Sequence, residues 1–133
     1  MAEEVIHAAS WLINPGAPPV AGGALFVRNG VIADTGPLSV LRSAYSAPVL
    51  DYPGCVLLPG FVNAHTHLEL THFPSWKLRS SVDYNPRRFS DWIIQLIKIS
   101  RGLTAEEYPP SIREGVRMCL ESGTTAIGEI VTN

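Results

Sequence analysis

Leu58-Pro59-Gly60-Phe61-Val62-Asn63-Ala64-His65-Thr66-His67-Leu68-Glu69 is the stretch whose reading decides the fold of this chain. Phe61 to Leu68 is rich in apolar residues and follows a Pro-Gly turn, so it is predicted to be a short β run. Side chains at i and i+2 of a strand project from one face, which points His65 and His67 the same way. Two neutral imidazoles on a rigid strand can bind one transition metal with little ordering cost, and nitrogen ligands suit zinc, iron or nickel. A bare His-x-His also arises by chance and is then inert, so its surroundings carry the argument.

Upstream of Pro59 the chain reads as a small β unit. Val5 to Ile13 is a predicted strand, ended by Asn14-Pro15-Gly16 and Pro18-Pro19. Gly23 to Val27 alternates apolar residues, and Arg28-Asn29-Gly30 turns into Val31-Ile32-Ala33, because Asn-Gly suits a two-residue turn in which both central φ are positive. Asp34 to Pro37 is expected to close that hairpin, followed by a short helix around Leu38 to Tyr45. Two more short strands, Pro48 to Tyr52 and Cys55 to Leu58, complete the unit.

Downstream the pattern changes to strand, helix, helix, strand. Phe89, Trp92, Ile93, Leu96 and Ile97 recur at helical spacing, giving an amphipathic helix that ends at Gly102. Thr104 to Glu107 has the form of a capping box and Ser111 to Glu114 repeats it, while Pro109-Pro110 is expected to break or kink any helix between them. Ile112, Val116, Cys119 and Leu120 form a second apolar stripe, stopped by Gly123. Thr124 to Val131 is then a strand rich in β-branched residues. Strand, helical crossover, strand is a βαβ unit with a parallel pair.

With these pieces in order, the chain resembles the amidohydrolase superfamily. The hallmark of that family is Pro-Gly, two apolar residues, Asn or Asp, any residue, then His-x-His, and Pro59 to His67 matches at every position. Gly22 to Ile32, with its Asn29-Gly30 turn, is similar to the family's sandwich segment, so the resemblance covers essentially the whole chain. It implies an α/β fold: a small N-terminal β-sandwich over 1–58, then over 59–133 the first two strand–helix units of a (β/α)8 TIM-type barrel. The Asn-Ala-His-Thr-His-Leu-Glu form is most similar to the cytosine-deaminase and chlorohydrolase-like branch, which includes aminodeoxyfutalosine deaminase-like proteins.

That resemblance implies one divalent metal ion, zinc or alternatively iron, with His65 and His67 as two of its ligands. The implied reaction is hydrolysis of a carbon–nitrogen bond other than a peptide bond: activated water attacks the sp² carbon bearing the amine of a nitrogen heterocycle, with deamination. The alternatives are a two-metal cyclic amidase of the same superfamily, acting on a cyclic amide, and a non-enzymatic metal-binding module or truncated remnant. The remaining ligands and the proton-shuttling residues would come from beyond Asn133, so no catalytic residue is identifiable within this chain. A (β/α)8 barrel needs ~250 residues. The 133 residues here are therefore read as an incomplete piece, inactive by itself.

Three further residues are candidates for contact with a small-molecule substrate. Glu69 shares strand parity with His65 and His67, His72 lies five residues past His67 in the following loop, and Glu129 lies toward the C-terminal end of its strand, where barrel active sites open. Each has a plainer reading: Glu69 as a solvated loop residue, His72 as a surface residue, Glu129 as an edge charge. Phe73 and Trp76 read as packing residues, Arg79, Arg87 and Arg88 as solvated charges, Asn63 as a strand anchor, and Asp83 to Arg88 as a lid-like connection.

Composition excludes other classes. Ten Lys+Arg against twelve Asp+Glu, with no basic stripe, argues against a nucleic-acid binder or membrane-surface protein. No apolar run approaches the ~18–20 residues of a membrane span, and Met1 to Val5 lacks the basic head of a secretory signal, so the expected location is cytoplasmic. Cys55 and Cys119 are read as small buried residues rather than a disulfide or a thiolate metal site. A truncated barrel would expose apolar edges, which calls for a partner, homo-oligomer formation through swapping, or poor solubility.

Overall fold

The computed structural model describes residues 3–85 and 87–131. Pro86 of the expected connection lies outside the described residues, as do Met1, Ala2, Thr132 and Asn133. The fold is mixed α/β. It divides into two compact units, Met1–Pro59 and Gly60–Asn133.

The first unit contains β1 (Glu4–Leu12), β2 (Val20–Ala21), β3 (Gly23–Arg28), β4 (Val31–Pro37), α1 (Leu38–Ala44) and β5 (Val49–Leu57). β1 is central, antiparallel to β2 and β3 and parallel to β5, while β4 pairs antiparallel with β3. Asn29 and Gly30 have φ of 52° and 76° and Arg28 pairs with Val31, which is the two-residue turn the Asn-Gly pair predicts. Cross-strand pairs Ile6–Phe26 and Ala8–Ala24 share a face with Leu41 of α1 and form the buried core. The Phe26 ring stacks on Tyr45 with centroids 4.0 Å apart, and the Tyr45 hydroxyl donates to Asp34 at 2.9 Å.

Several expectations change here. The described residues of this unit form one five-stranded sheet. Asp34 to Pro37 continues β4 instead of closing the hairpin. The two short strands expected between Pro48 and Leu58 are one strand, β5, because a bulge absorbs Pro53 and Gly54: Ala9 pairs with Tyr52, and the next aligned pair is Trp11 with Val56. Cys55, beside that bulge, is exposed and Cys119 half-buried, so neither is the buried residue expected.

The second unit runs β6 (Phe61–Thr66), a 3-10 turn (Leu68–Leu70), α2 (Phe73–Arg79), α3 (Phe89–Ser100), a second 3-10 turn (Ala105–Glu107), α4 (Tyr108–Glu121) and β7 (Thr124–Glu129). β6 and β7 are parallel, as the crossover pattern predicts. Phe73 and Trp76 of α2 pack against Leu96 and Ile99 of α3, which makes both aromatic residues core.

Here, too, the sequence reading needs correction. Helix α2 is unforeseen: seven residues are too few to display a helical period, and His72 precedes it directly. The two prolines start α4 instead of breaking a helix, since a missing N–H costs nothing in the first turn. The Thr104–Glu107 capping box is present, with the Thr104 N–H donating to the Glu107 carboxylate at 2.9 Å. Ser111 is no cap; it lies inside α4, fully buried, and Glu114 pairs with Arg117 instead. The buried face of α4 is Ser111 and Gly115, one turn apart, whereas Leu120 of the expected apolar stripe is 64% exposed.

Candidate functional site

β6 ends one residue before His67. His65 is within the strand and exposed, and His67 follows it with φ −133° and ψ 75°, half-buried. The two rings nevertheless stand together, with centroids 5.2 Å apart and nearly perpendicular planes. Asn63 anchors this end as expected of it: its side-chain oxygen accepts the His65 N–H at 3.2 Å.

The chain turns sharply after His67, and the turn is held from two sides. From β7, the Glu129 carboxylate accepts the Thr66 hydroxyl through one oxygen and the Leu68 N–H, at 2.8 Å, through the other. From α4, the Ser111 hydroxyl donates to the Glu69 carbonyl at 2.8 Å and accepts the His72 N–H at 2.9 Å. Gly115 lets the helix come this close, since a Cβ there would sit 2.5 Å from the Thr71 hydroxyl and 2.9 Å from the Leu68 side chain.

Glu69 therefore owes its place to this turn, not to strand parity. It is 6% exposed, and its carboxylate lies 3.6 Å from Nδ1 of His67. That distance suits an ion pair with a protonated imidazole but is too long for a hydrogen bond, and Nδ1 is buried without one. Glu129 is half-buried and hydrogen-bonded rather than a free edge charge. Burial pushes its pKa up, but hydrogen bonds from Thr66, the Leu68 N–H and Glu69, together with the His67 charge, bring it below the ordinary carboxylate value. The His72 ring stands edge-on to Trp76 with centroids 6.2 Å apart, so it packs on α2 rather than projecting from a loop. Arg79 is paired with Glu107 at 2.6 Å.

The imidazole pair passes a simple geometric test for a shared metal. Zn–N bonds of about 2.0–2.1 Å and a tetrahedral angle put two ring centres roughly 5 Å apart, which is the spacing found. Two nitrogen donors are half a tetrahedral set. Among the described residues no group of three or more His, Cys, Asp or Glu is arranged to hold a metal. A groove of 450 Å³ beside α3, lined by Leu70, Ile93, Leu96, Ile97 and Tyr108 among others, includes neither histidine. Sequence reasoning gave Thr66 no role and read Ser111 as a helix cap; the signal for its true place was a hydroxyl residue one helical turn before Gly115.

No family model matches this sequence. The 5-methylthioadenosine/S-adenosylhomocysteine deaminase of Nitratidesulfovibrio vulgaris is 32% identical over 113 residues, covering 84% of this chain and 24% of that protein. Among solved structures, an adenosine deaminase from Xanthomonas campestris with bound zinc superposes with a TM-score of 0.72 at 27% identity, over 96% of this chain and 28% of its own. Helicobacter pylori aminofutalosine deaminase in complex with methylthio-coformycin gives 0.73 at 26% identity, over 95% of this chain and 29% of its own. The chain belongs to the amidohydrolase superfamily. It spans about a quarter of the length of the curated relatives it matches. Within this amidohydrolase segment, no helix among the described residues is long and apolar enough to cross a membrane.

Proposed function

We propose that this chain supplies the first metal-binding strand of a metal-dependent deaminase that releases ammonia from a 6-aminopurine nucleoside. On this reading Met1–Pro59 is the N-terminal part of a sandwich domain and Gly60–Asn133 opens a (β/α)8 barrel whose remaining units lie outside this sequence. The observation that carries the proposal is the pair of imidazoles, 5.2 Å apart, at the C-terminal end of β6. Its support in substrate class comes from the similarity to proteins named for adenosine and 5-methylthioadenosine deamination. A cytoplasmic location rests on the sequence composition alone.

His65 and His67 would hold the metal, zinc in the similar Xanthomonas structure. Bound there, a divalent ion supplies the Lewis acidity that makes water a nucleophile at neutral pH. The chain's own part is orientation. Glu69 lies behind Nδ1 of His67, which leaves Nε2 as the nitrogen to present outward. The hydrogen-bonded turn from Leu68 to His72 fixes where the strand end and its histidines stop.

Two measurements test this reading. Zinc analysis of the polypeptide encoded by the natural reading frame that carries this segment should show bound metal that His65→Ala and His67→Ala each abolish; unchanged stoichiometry in both variants rules out the ligand assignment. The same polypeptide should release ammonia from adenosine-type nucleosides. Ring opening of cyclic amides without ammonia would assign the cyclic amidase instead, and turnover by the 133-residue chain alone would overturn the division of labour proposed here.

A further inference from the structure

We propose that Glu129 is a positioning residue that fixes His67 for metal binding by gripping the residues on both sides of it. The inference rests on the metal reading of the histidine pair. His67 is the first residue past the strand, so the sheet's regular hydrogen bonding no longer dictates its direction. Its two chain neighbours are nonetheless tied to a single carboxylate: the Thr66 hydroxyl donates to Oε2 of Glu129 and the Leu68 N–H donates to Oε1 at 2.8 Å. Thr66 and Glu129 are also register partners between β6 and β7, and the Ile130 N–H donates to the Thr66 carbonyl at 2.9 Å. The grip therefore grows out of the parallel ladder and extends it one residue beyond its end.

A carboxylate suits this task because its two oxygens can accept from two donors at once, and charge-assisted bonds are roughly twice as strong as neutral ones. Holding residues 66 and 68 leaves the backbone of residue 67 little freedom to swing its ring away from His65. Groups that orient a metal-ligating histidine typically contribute about 10–100-fold to metal affinity. None of the hydrogen bonds to the Glu129 carboxylate, from Thr66, Leu68 and Glu69, comes from the His67 ring, so its hold on His67 is indirect.

The test is competitive zinc titration of the polypeptide encoded by the natural reading frame that carries this segment and of its variants, with circular dichroism and thermal melting to confirm that each is folded. Glu129→Ala should weaken zinc binding by about 10–100-fold. Glu129→Gln, which can accept from Leu68 and donate to Thr66, should stay within about threefold of the parent, because the grip survives without the charge. Thr66→Val should weaken binding and Thr66→Ser should restore it, and this pair decides the matter if Glu129→Ala fails to fold. Equal affinity of Glu129→Ala and the parent overturns the inference. So does a Glu129→Gln loss as large as that of Glu129→Ala, which would assign the effect to charge. A parent polypeptide that binds no zinc, or binds it regardless of His67→Ala, overturns the metal reading and this inference with it; parent binding that Glu129 does not affect overturns the inference alone.

Discussion

β1 and β6 are both apolar-rich strands, yet they live in different surroundings. β1 is hydrogen-bonded on both edges, by β3 and by β5, and one of its faces is closed by α1, so that Ile6 is fully buried. β6 pairs with β7 alone among the described residues, and its Phe61 and Val62 are 57% and 71% exposed. Two strands by themselves are marginal in water. The first unit is thus held by a packed core beneath a wide sheet. The histidine-bearing end of the second is held by discrete polar ties, Glu129 from β7 and Ser111 from α4. A strand end that must present side chains outward cannot also be buried, so its rigidity comes from hydrogen bonds made behind it.

That contrast can be broken most forcefully at Phe26. Phe26→Ala removes a fully buried ring from the first unit and should cost about 3–5 kcal/mol. Native-state hydrogen exchange should show β1 and β3 amides losing protection while α4 amides keep theirs; equal losses in α4 would mean that the units unfold together. Ser111→Ala is the counterpart in the second unit. It strips the His72 N–H of its acceptor and the Glu69 carbonyl of its donor, with an expected loss of about 1–3 kcal/mol in urea unfolding. An unchanged midpoint would show that the polar tie contributes nothing.

Gly115→Ala tests the same contact sterically. The added methyl meets Thr71 and Leu68 at distances below 3 Å, an overpacking cost of about 1–3 kcal/mol that alanine's helix preference of about 1 kcal/mol partly offsets. A stabilised variant would mean that α4 can move off the turn. The smallest effect concerns Glu107, whose pKa is lowered by the Thr104 N–H and then by Arg79. A depressed folded-state value contributes stability above the ordinary carboxylate pKa and loses it as pH falls through the lowered one. The Tm difference between the parent and Glu107→Gln should therefore shrink on acidification from neutral pH to below that lowered value; a constant difference would discount the capping box.

Part of the element order was legible, where local rules govern it. The Asn29-Gly30 turn, the parallel strand–helix–strand order and the Thr104–Glu107 cap each depend on a few neighbouring residues. Misreadings cluster where a local rule met a distant partner. The parity that assigned Glu69 to the face of His65 failed because Glu129, 61 residues from Leu68, helps fold the chain into a turn where a strand was expected. The apolar spacing on α4 pointed to Ile112, Val116 and Leu120, but the helix packs through Ser111 and Gly115 because the turn beside it offers carbonyls and needs close approach.

By itself, then, the sequence determined that two imidazoles lie two residues apart close to the end of a short strand, because covalent spacing and the local apolar pattern suffice for that. Only the tertiary structure decided which carboxylate braces them and which serine ties down the turn. Those hydrogen bonds join residues 39 to 63 positions apart, and spacing along a chain does not encode which distant groups will meet once it folds.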